Sequence, residues 1–146
     1  MNPLPPTKQA ALIVGAGDAT GSAIARRFAR EGLIACATRR DADKLQPLIE
    51  EIKASGGQAH GFASDARKEE QVIALVEQIE RDIAPIEVMV FNIGANVPCS
   101  ILEETARKYF KIWEMATLSG FLVGREVAKR MVQRQRGTII FTGATA

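Results

Sequence analysis

The chain has little of what marks several large protein classes. Its 146 residues include two cysteines and one histidine, and aromatic residues make up 5%. Two cysteines are too few for a disulfide framework, and the histidine, His60, has no second histidine or nearby cysteine at metal-ligand spacing. We therefore expect a reducing, cytoplasmic setting and no metal site.

The sequence also lacks an excess of one charge and a long apolar run. Nineteen Lys and Arg residues against seventeen Asp and Glu residues leave a net charge of +2. The charges are interspersed, which gives no indication of a nucleic-acid partner, and no charge-free stretch reaches the length of about 18 residues that a membrane span needs. Residues 1–9 are Pro-rich and polar without the apolar run of a signal peptide, so we expect a flexible tail.

Residues 10–146 alternate short apolar segments with longer amphipathic ones, which predicts a single α/β domain. The predicted strands are Ala10–Val14, Leu33–Thr38, Gln58–Ala63, Glu87–Phe91 and Thr138–Thr142. The predicted helices are Ser22–Arg30, Asp41–Ala54 with Asp41 as N-cap, Glu69–Ile83, and Glu103–Arg134 with a bend near Ser119–Gly120. This order predicts a doubly wound Rossmann fold whose parallel sheet has the strand order 3-2-1-4-5. Ligands of such sheets bind beyond the carboxyl ends of the strands.

A glycine-rich segment joins the first predicted strand to the first helix. Gly15, Gly17 and Gly21 would allow a tight turn, and a phosphate could approach the backbone at Gly21. The helix N-terminus would then favour the phosphate's negative charge. The segment therefore predicts phosphate binding by a βαβ unit, with a plain tight turn as the alternative.

The second predicted strand ends in basic residues. Dinucleotide sites that bind an unphosphorylated ribose have an Asp or Glu about 20 residues beyond the glycines. This chain has Arg39 and Arg40 there, and paired guanidinium groups suit a 2′-phosphate. The arginines favour NADP over NAD, although a solvated basic pair is the alternative.

Polar residues also follow the third and fourth predicted strands. Asp65 could accept a hydrogen bond from an adenine amino group, or it could cap the helix that starts near Lys68. Asn92 and Gly94 lie where the winding of the sheet reverses, and Asn92 could instead tie backbone groups together.

Together these segments resemble the short-chain dehydrogenase/reductase family. The family has T-G-x-x-x-G-x-G after its first strand, and here Val14 to Gly21 reads V-G-A-G-D-A-T-G. Asp65, the Asn92–Gly94 segment, and the segments Gly120–Met131 and Gly137–Thr142 are similar to further family motifs. The cofactor-binding residues expected from these motifs are Gly15, Gly17, Asp18, Ala19, Thr20, Gly21, Arg39, Arg40, Asp65, Ala66, Asn92 and Gly94.

The chain departs from the family at its catalytic positions. The family's catalytic Asn and Ser fall at Ala116 and Ala144, and its Tyr-x-x-x-Lys pair would lie beyond residue 146. We therefore assign no catalytic residue. The resemblance implies the cofactor-binding half of an NADP(H)-dependent oxidoreductase for a carbonyl or alcohol substrate, without activity of its own and in a homo-oligomer.

Two other functions compete with this expectation. A nucleotide-binding module without hydride chemistry, such as a sensor or regulatory partner, would agree with Ala116 and Ala144. An S-adenosylmethionine-dependent methyltransferase would share the fold. Its site usually prefers an acid after the second strand, and Arg39–Arg40 argues against it.

Overall fold

The computed structural model describes residues 8–17, 19–94 and 97–143. The strands are β1 (Ala10–Val14), β2 (Ile34–Arg39), β3 (Ala59–Ala63), β4 (Ile86–Phe91) and β5 (Thr138–Phe141). The α-helices are α1 (Thr20–Arg30), α2 (Gln46–Ala54), α3 (Glu69–Asp82), α4 (Ala106–Trp113) and α5 (Ser119–Gln133). A short 3₁₀-helix spans Asp43–Leu45, and a π-helical segment spans Glu114–Leu118. Of the expected tail, residues 1–7 lie outside the described residues.

The five strands form one parallel sheet in the order β3-β2-β1-β4-β5, which confirms the predicted topology. β1 lies at the centre and pairs with β2 on one side and β4 on the other. The chain winds outward in one direction from β1 to β3 and in the other from β4 to β5. The reversal between β1 and β4 leaves a crevice at their carboxyl ends.

β1 is apolar throughout because helices cover both faces of the sheet. Leu12 and Val14 pack in the cluster that contains the buried residues of α3 and α5. Ala11 and Ile13 pack in the cluster on the other face, beneath α1 and α2. Alternate residues therefore serve opposite halves of the core, as expected for a central parallel strand.

The predicted single helix over residues 103–134 is wrong in its start and in its continuity. The helix starts at Ala106 because the Thr105 hydroxyl accepts a hydrogen bond from the Lys108 amide at 3.2 Å. The π-helical segment ends directly before Ser119, next to the place where the sequence predicts a bend. Ser119 donates its hydroxyl to the Met115 carbonyl, which satisfies one backbone acceptor inside the widened turn.

The second helical region also begins differently from the prediction. Asp41 is not the N-cap that the sequence predicted, since the N-cap of α2 is Leu45. The Asp41 carboxylate instead accepts from the Asp43 amide at 3.2 Å, in the turn before the short 3₁₀-helix. α2 starts at Gln46 and carries Pro47 in its first turn, where the missing proline N–H costs no helical hydrogen bond.

Among the residues that the structure describes, no helix is long and apolar enough to cross a membrane. The cytoplasmic setting expected from the sequence stays a prediction.

Candidate functional site

A cleft of about 530 Å³ opens at the carboxyl ends of β1, β2, β3 and β4. This is the edge of the sheet where the sequence predicted a ligand. Its lining residues are Val14, Gly15, Gly17, Thr38, Arg39, Arg40, Asp41, Lys44, Ser64, Asp65, Ala66, Arg67, Asn92, Ile93, Gly94 and Met115. Most of them lie at the ends of these four strands or in the loops that follow, so the sheet itself brings them together.

The three glycines of the turn after β1 have different roles. Gly15 has a φ of +84°, and a Cβ there would lie 2.7 Å from the Asn92 carbonyl oxygen. Gly17 lines the cleft, and a Cβ there would have no heavy atom within 4 Å. A Cβ at Gly21 would lie 2.7 Å from the Ala16 Cα. The open space for a ligand is therefore at Gly17. Gly21, where the sequence placed the phosphate approach, instead allows α1 to pack beneath the turn.

Backbone hydrogen bonds hold this turn in place. The Gly15 and Ala16 amides both donate to the Thr38 carbonyl, at 3.1 and 3.0 Å, and the Gly17 amide donates to Gly15 at 2.9 Å. α1 has neither a side-chain cap nor an acidic residue in its first turn. The positive end of the helix dipole is therefore not balanced by a side chain of its own first turn.

The predicted binding residues fall into three groups. Those in the cleft lining are Gly15, Gly17, Arg39, Arg40, Asp65, Ala66, Asn92 and Gly94. Ala19, Thr20 and Gly21 lie at the start of α1, outside the lining. Asp18 lies outside the described residues.

Asn92 connects three strand ends. Its amide donates to the Val14 carbonyl at 2.8 Å, and its side-chain Nδ2 donates to the Gly15 carbonyl at 3.2 Å. The Thr142 hydroxyl, just after β5, lies 3.0 Å from Asn92 Oδ1. Both ends of the Asn92 side chain are thus used within the protein, which agrees with the alternative that Asn92 ties backbone groups together.

Basic side chains dominate the charged lining of the cleft. Among the described residues these are Arg39 at the end of β2, Arg40 directly after it, Lys44 in the 3₁₀-helix, and Arg67 after β3. The charged lining also includes two carboxylates, Asp41 and Asp65, and Lys44 Nζ lies 3.6 Å from Asp41 Oδ2. Counted over the described lining residues, basic side chains outnumber acidic ones, which suits an anionic ligand.

Sequence reasoning missed Lys44 and Arg67. The only signal for Arg67 is its position two residues after Asp65, a spacing at which two side chains of one loop can pair. The two groups make a forked ion pair, with Arg67 Nε 2.9 Å from Asp65 Oδ1 and Nη2 2.6 Å from Oδ2. The Arg67 guanidinium lowers the pKa of Asp65 to about 2, against the opposing effect of burial.

The predicted capping role of Asp65 is wrong for α3. The N-cap of α3 is Lys68, which makes no side-chain capping bond. The Asp65 carboxylate accepts instead from the Arg67 amide at 3.1 Å, and the Asp65 carbonyl accepts from the Lys68 amide at 2.9 Å. Asp65 therefore stabilises the turn from Asp65 to Lys68, which ends directly before the helix begins at Glu69.

The position matched to the family's catalytic Asn lies in the π-helical segment. Met115 reaches the cleft lining from this segment, and Ala116 follows it. Ala116 is partly buried and has no group that can donate a hydrogen bond or orient a substrate. Ala144, matched to the family's Ser, lies outside the described residues.

The cysteines and the histidine lie away from the cleft lining. Cys36 is buried in the core, where desolvation raises the pKa of its thiol to about 12. Cys99 is exposed, and His60 lies on the edge strand β3. Within residues 8–17, 19–94 and 97–143 no three His, Cys, Asp or Glu side chains are grouped as a metal site would require.

The fold and the strand-end motifs match a known family over residues 9–146, whose model is described as short chain dehydrogenase. The chain belongs to the short-chain dehydrogenase family. The match runs from the residue before β1 to the last residue of the sequence.

Relatives and solved structures of this family are similar to the chain over nearly its whole length. A 2,3-dihydro-2,3-dihydroxybenzoate dehydrogenase from Bacillus subtilis is 29% identical over 93% of the chain. A short-chain dehydrogenase from Rhodopseudomonas palustris is 44% identical over 94% of the chain, with a TM-score of 0.87. A metagenomic short-chain oxidoreductase in complex with NADP is 26% identical over 95% of the chain, with a TM-score of 0.88.

The chain is shorter than these relatives. It spans 52% of the length of the B. subtilis enzyme, 65% of the R. palustris protein and 63% of the metagenomic oxidoreductase.

Proposed function

We propose that the cleft binds a dinucleotide, with the pyrophosphate beside Gly17 and the adenosine end toward the loops after β2 and β3. The observation that carries this proposal is the open space at Gly17, next to an α1 N-terminus that has no side-chain cap among the residues that the structure describes. A phosphate there would meet backbone N–H groups and the positive end of the helix dipole.

The remaining features of the cleft fit such a ligand. Its volume of about 530 Å³ lies within the usual range for cofactor sites, and its charged lining is mainly basic. The described strand ends contribute glycines for close approach and polar groups for orientation. A reduced nicotinamide dinucleotide, when bound there, would supply a hydride.

We propose further that the dinucleotide is NADP(H) rather than NAD(H). Arg39 and Arg40 stand where an acidic residue would bind a free ribose, and both line the cleft. Charge-assisted hydrogen bonds from guanidinium groups suit a 2′-phosphate. A structural relative of the chain is described in complex with NADP, which agrees with this choice.

Titration calorimetry with NADPH and NADH tests both proposals. Wild-type chain should bind NADPH more tightly, and Arg40→Ala should cost about 1.5–3 kcal/mol of NADPH affinity, since it removes one charged contact to phosphate. NADH affinity should change little. Arg30→Ala is the matched control, because Arg30 is an exposed arginine in the last turn of α1, outside the cleft. Equal losses for the two cofactors would contradict 2′-phosphate recognition, and no binding of either would contradict the dinucleotide site.

The reaction we propose for the protein that contains this chain is hydride transfer between the dinucleotide and a carbonyl or alcohol. Support comes from family membership and from relatives such as the B. subtilis dehydrogenase. The chain's own residues would bind and orient the cofactor. Reduction of a carbonyl by the full-length gene product, followed at the nicotinamide absorbance, tests this reaction.

A non-catalytic nucleotide-binding module is the second candidate, and one observation favours it. Ala116 replaces a polar catalytic residue in a segment that reaches the cleft. Binding of NADPH without turnover by the full-length product, over a panel of aldehydes and ketones, would favour the module over the enzyme.

We also propose that the protein forms a homo-oligomer. α4 buries none of its residues and exposes Tyr109 and Phe110, whose neighbour Trp113 stacks on the Phe110 ring at 5.7 Å between centroids. Apolar side chains clustered on a surface often mark a protein contact. Light scattering across a range of protein concentrations tests for a species larger than 15.8 kDa.

A further inference from the structure

The carboxylate of Asp65 is held from three directions by one neighbouring residue. Arg67 Nε and the Arg67 amide donate to Oδ1, at 2.9 and 3.1 Å, and Arg67 Nη2 donates to Oδ2 at 2.6 Å. The Asp65 side chain is 16% exposed and the Arg67 side chain is 34% exposed, so the pair lies in the cleft wall and not on open surface.

The loop beneath this pair is fixed as well. The Asp65 amide donates to the Gln71 side-chain oxygen at 2.8 Å, and the Asp65 carbonyl accepts from the Lys68 amide at 2.9 Å. Gln71 belongs to α3, so the backbone of Asp65 is tied to a helix that packs in the core. Backbone and side chain of Asp65 therefore have little freedom to turn.

The hydrogen bonds from Arg67 determine how many further hydrogen bonds the Asp65 carboxylate can accept. An ionised carboxylate has about four acceptor directions, two on each oxygen. Arg67 uses both directions of Oδ1 and one of Oδ2. One acceptor direction on Oδ2 is left for a donor from a ligand, such as an exocyclic amine.

We propose that Arg67 is a positioning residue, which holds the Asp65 carboxylate oriented with one free acceptor for the amine at the adenine end of the ligand. This inference rests on the proposed dinucleotide site. It gives Arg67 a role through Asp65, distinct from the direct phosphate contact proposed for Arg39 and Arg40.

The charges around the pair come from three elements. Arg67 faces Asp65 in its own loop and Glu114 in the π-helical segment, and Asp65 faces Arg67 and also Arg40 after β2. The fork is the largest influence on the pKa of Asp65, and burial acts against it. Loss of Arg67 would therefore raise the pKa of Asp65, with Arg40 opposing part of the rise.

The alternative is that Arg67 only stabilises the fold of its loop. The affinities of two ligand fragments distinguish this structural role from the positioning role. Adenosine 2′-monophosphate carries the adenine end alone, and nicotinamide mononucleotide carries the other end. At neutral pH Asp65 is ionised with or without Arg67, so the charge of Asp65 itself does not change. Arg67→Lys keeps a positive charge in the cleft without the fork, so its loss of affinity reports orientation and not charge. If Arg67 has only a structural role, its loss should change the free energy of unfolding without weakening one fragment more than the other.

The experiment measures the affinity of both fragments and of NADPH for wild-type chain, Arg67→Ala, Arg67→Lys and Asp65→Asn. We expect Arg67→Ala to weaken adenosine 2′-monophosphate and NADPH by about tenfold, the size of one lost hydrogen bond, and to leave nicotinamide mononucleotide unchanged. Arg67→Lys should fall between, because an ammonium keeps the charge without the fork.

Two further measurements separate action through Asp65 from direct contact. In the Asp65→Asn background, Arg67→Ala should add little further loss, as expected for coupled residues. Carbon NMR of the Asp65 carboxyl should give a pKa near 2 in wild-type chain and a clearly higher one in Arg67→Ala.

Several outcomes would overturn the inference. If Arg67→Ala binds adenosine 2′-monophosphate with wild-type affinity, Arg67 has only a structural role. If Arg67→Ala loses as much affinity in the Asp65→Asn background as in wild-type chain, Arg67 contacts the ligand directly. If Arg67→Ala fails to fold, Arg67→Lys carries the test, and its full wild-type affinity together with an unchanged Asp65 pKa would contradict a need for the fork. Failure of wild-type chain to bind either NADPH or the fragment would instead contradict the proposed function itself.

Discussion

The centre of the sheet and its β5 edge differ in how completely their side chains are buried. β1 is buried on both faces, and its residues are at most 2% exposed. β5, at one edge of the described sheet, pairs only with β4 and leaves Phe141 56% exposed. α1 and α2 cover one face of the centre, whereas α4 buries none of its residues.

This difference separates the binding features from the catalytic ones. The glycine turn and the ends of β1 to β4 are fixed by contacts within the described chain, and they contribute most of the cleft. The α4 to β5 region contributes Met115 to the cleft and presents apolar side chains to solvent. We therefore expect the chain to bind a cofactor without turning it over.

The largest expected effect is the absence of hydride transfer by the 146-residue chain. A general acid positioned at the substrate contributes about 10²–10⁴-fold in rate. The side chains of Ala116 and Ala144, at the positions matched to the family's Asn and Ser, can neither donate a proton nor orient a substrate. The Thr142 hydroxyl is within 3.2 Å of the Phe91 carbonyl and 3.0 Å of Asn92 Oδ1, so it is engaged inside the fold. Purified chain with NADPH and a panel of aldehydes and ketones should give a flat nicotinamide absorbance. A steady, protein-dependent loss of absorbance would break the separation of binding from catalysis.

The next largest effect compares two glycines of the same turn. Gly21→Val should destabilise the chain by about 3 kcal/mol, because its Cβ would lie 2.7 Å from the Ala16 Cα in a packed turn. Gly17→Val should unfold at the wild-type temperature and lose NADPH binding, since its side chain would fill open space in the cleft. Thermal unfolding and calorimetry on both variants provide the measurements. Undiminished NADPH affinity in a folded Gly17→Val protein would place the cofactor elsewhere.

Much of the cleft formed by the glycine turn and the ends of β1 to β4 could be predicted from the sequence, because its sequence signals are local. The five apolar residues of Ala10–Val14 end at a glycine, and burial on both faces follows from that pattern. Arg39 is the last residue of β2 and Arg40 follows it, so the parallel sheet alone carries both to the cleft.

The parts that the sequence did not predict depend on contacts or on irregular backbone. A π-helical turn has no 3.6-residue periodicity of its own, so Glu114–Leu118 was indistinguishable from continuous helix. The helix start at Ala106 depends on a hydrogen bond from Lys108 to Thr105, and the nearby Glu103 gave a competing start signal. The fork of Arg67 on Asp65 depends on the shape of their loop.

A smaller effect tests whether the ion pair between Asp65 and Arg67 in the cleft wall persists in solution. Arg67 lowers the pKa of Asp65 from 3.8 to about 2, so the folded state binds that proton less readily than the unfolded state. The resulting stabilisation is present above about pH 4 and is lost as the pH falls through about 2, for a total of about 1–2 kcal/mol. Urea unfolding of wild-type chain and Asp65→Asn across this range should give curves that converge at low pH. Parallel curves would mean that the ion pair does not persist in solution.

The smallest expected effect is that of Phe121→Ala, with Leu122, its neighbour on the opposite side of α5, as the comparison. Leu122 is 5% exposed and packs in the core, whereas Phe121 is 57% exposed with the Arg125 guanidinium 5.2 Å from its ring centre. Leu122→Ala should cost about 2–5 kcal/mol of unfolding free energy, and Phe121→Ala about 0.5–1 kcal/mol, the size of an exposed cation–π contact. Urea unfolding at low protein concentration gives both values. The cost of Phe121→Ala should grow with protein concentration if a second copy covers this face, because association stabilises the folded state by mass action. A cost that stays the same at every concentration would mean that the exposed side of α5 takes no part in the oligomer.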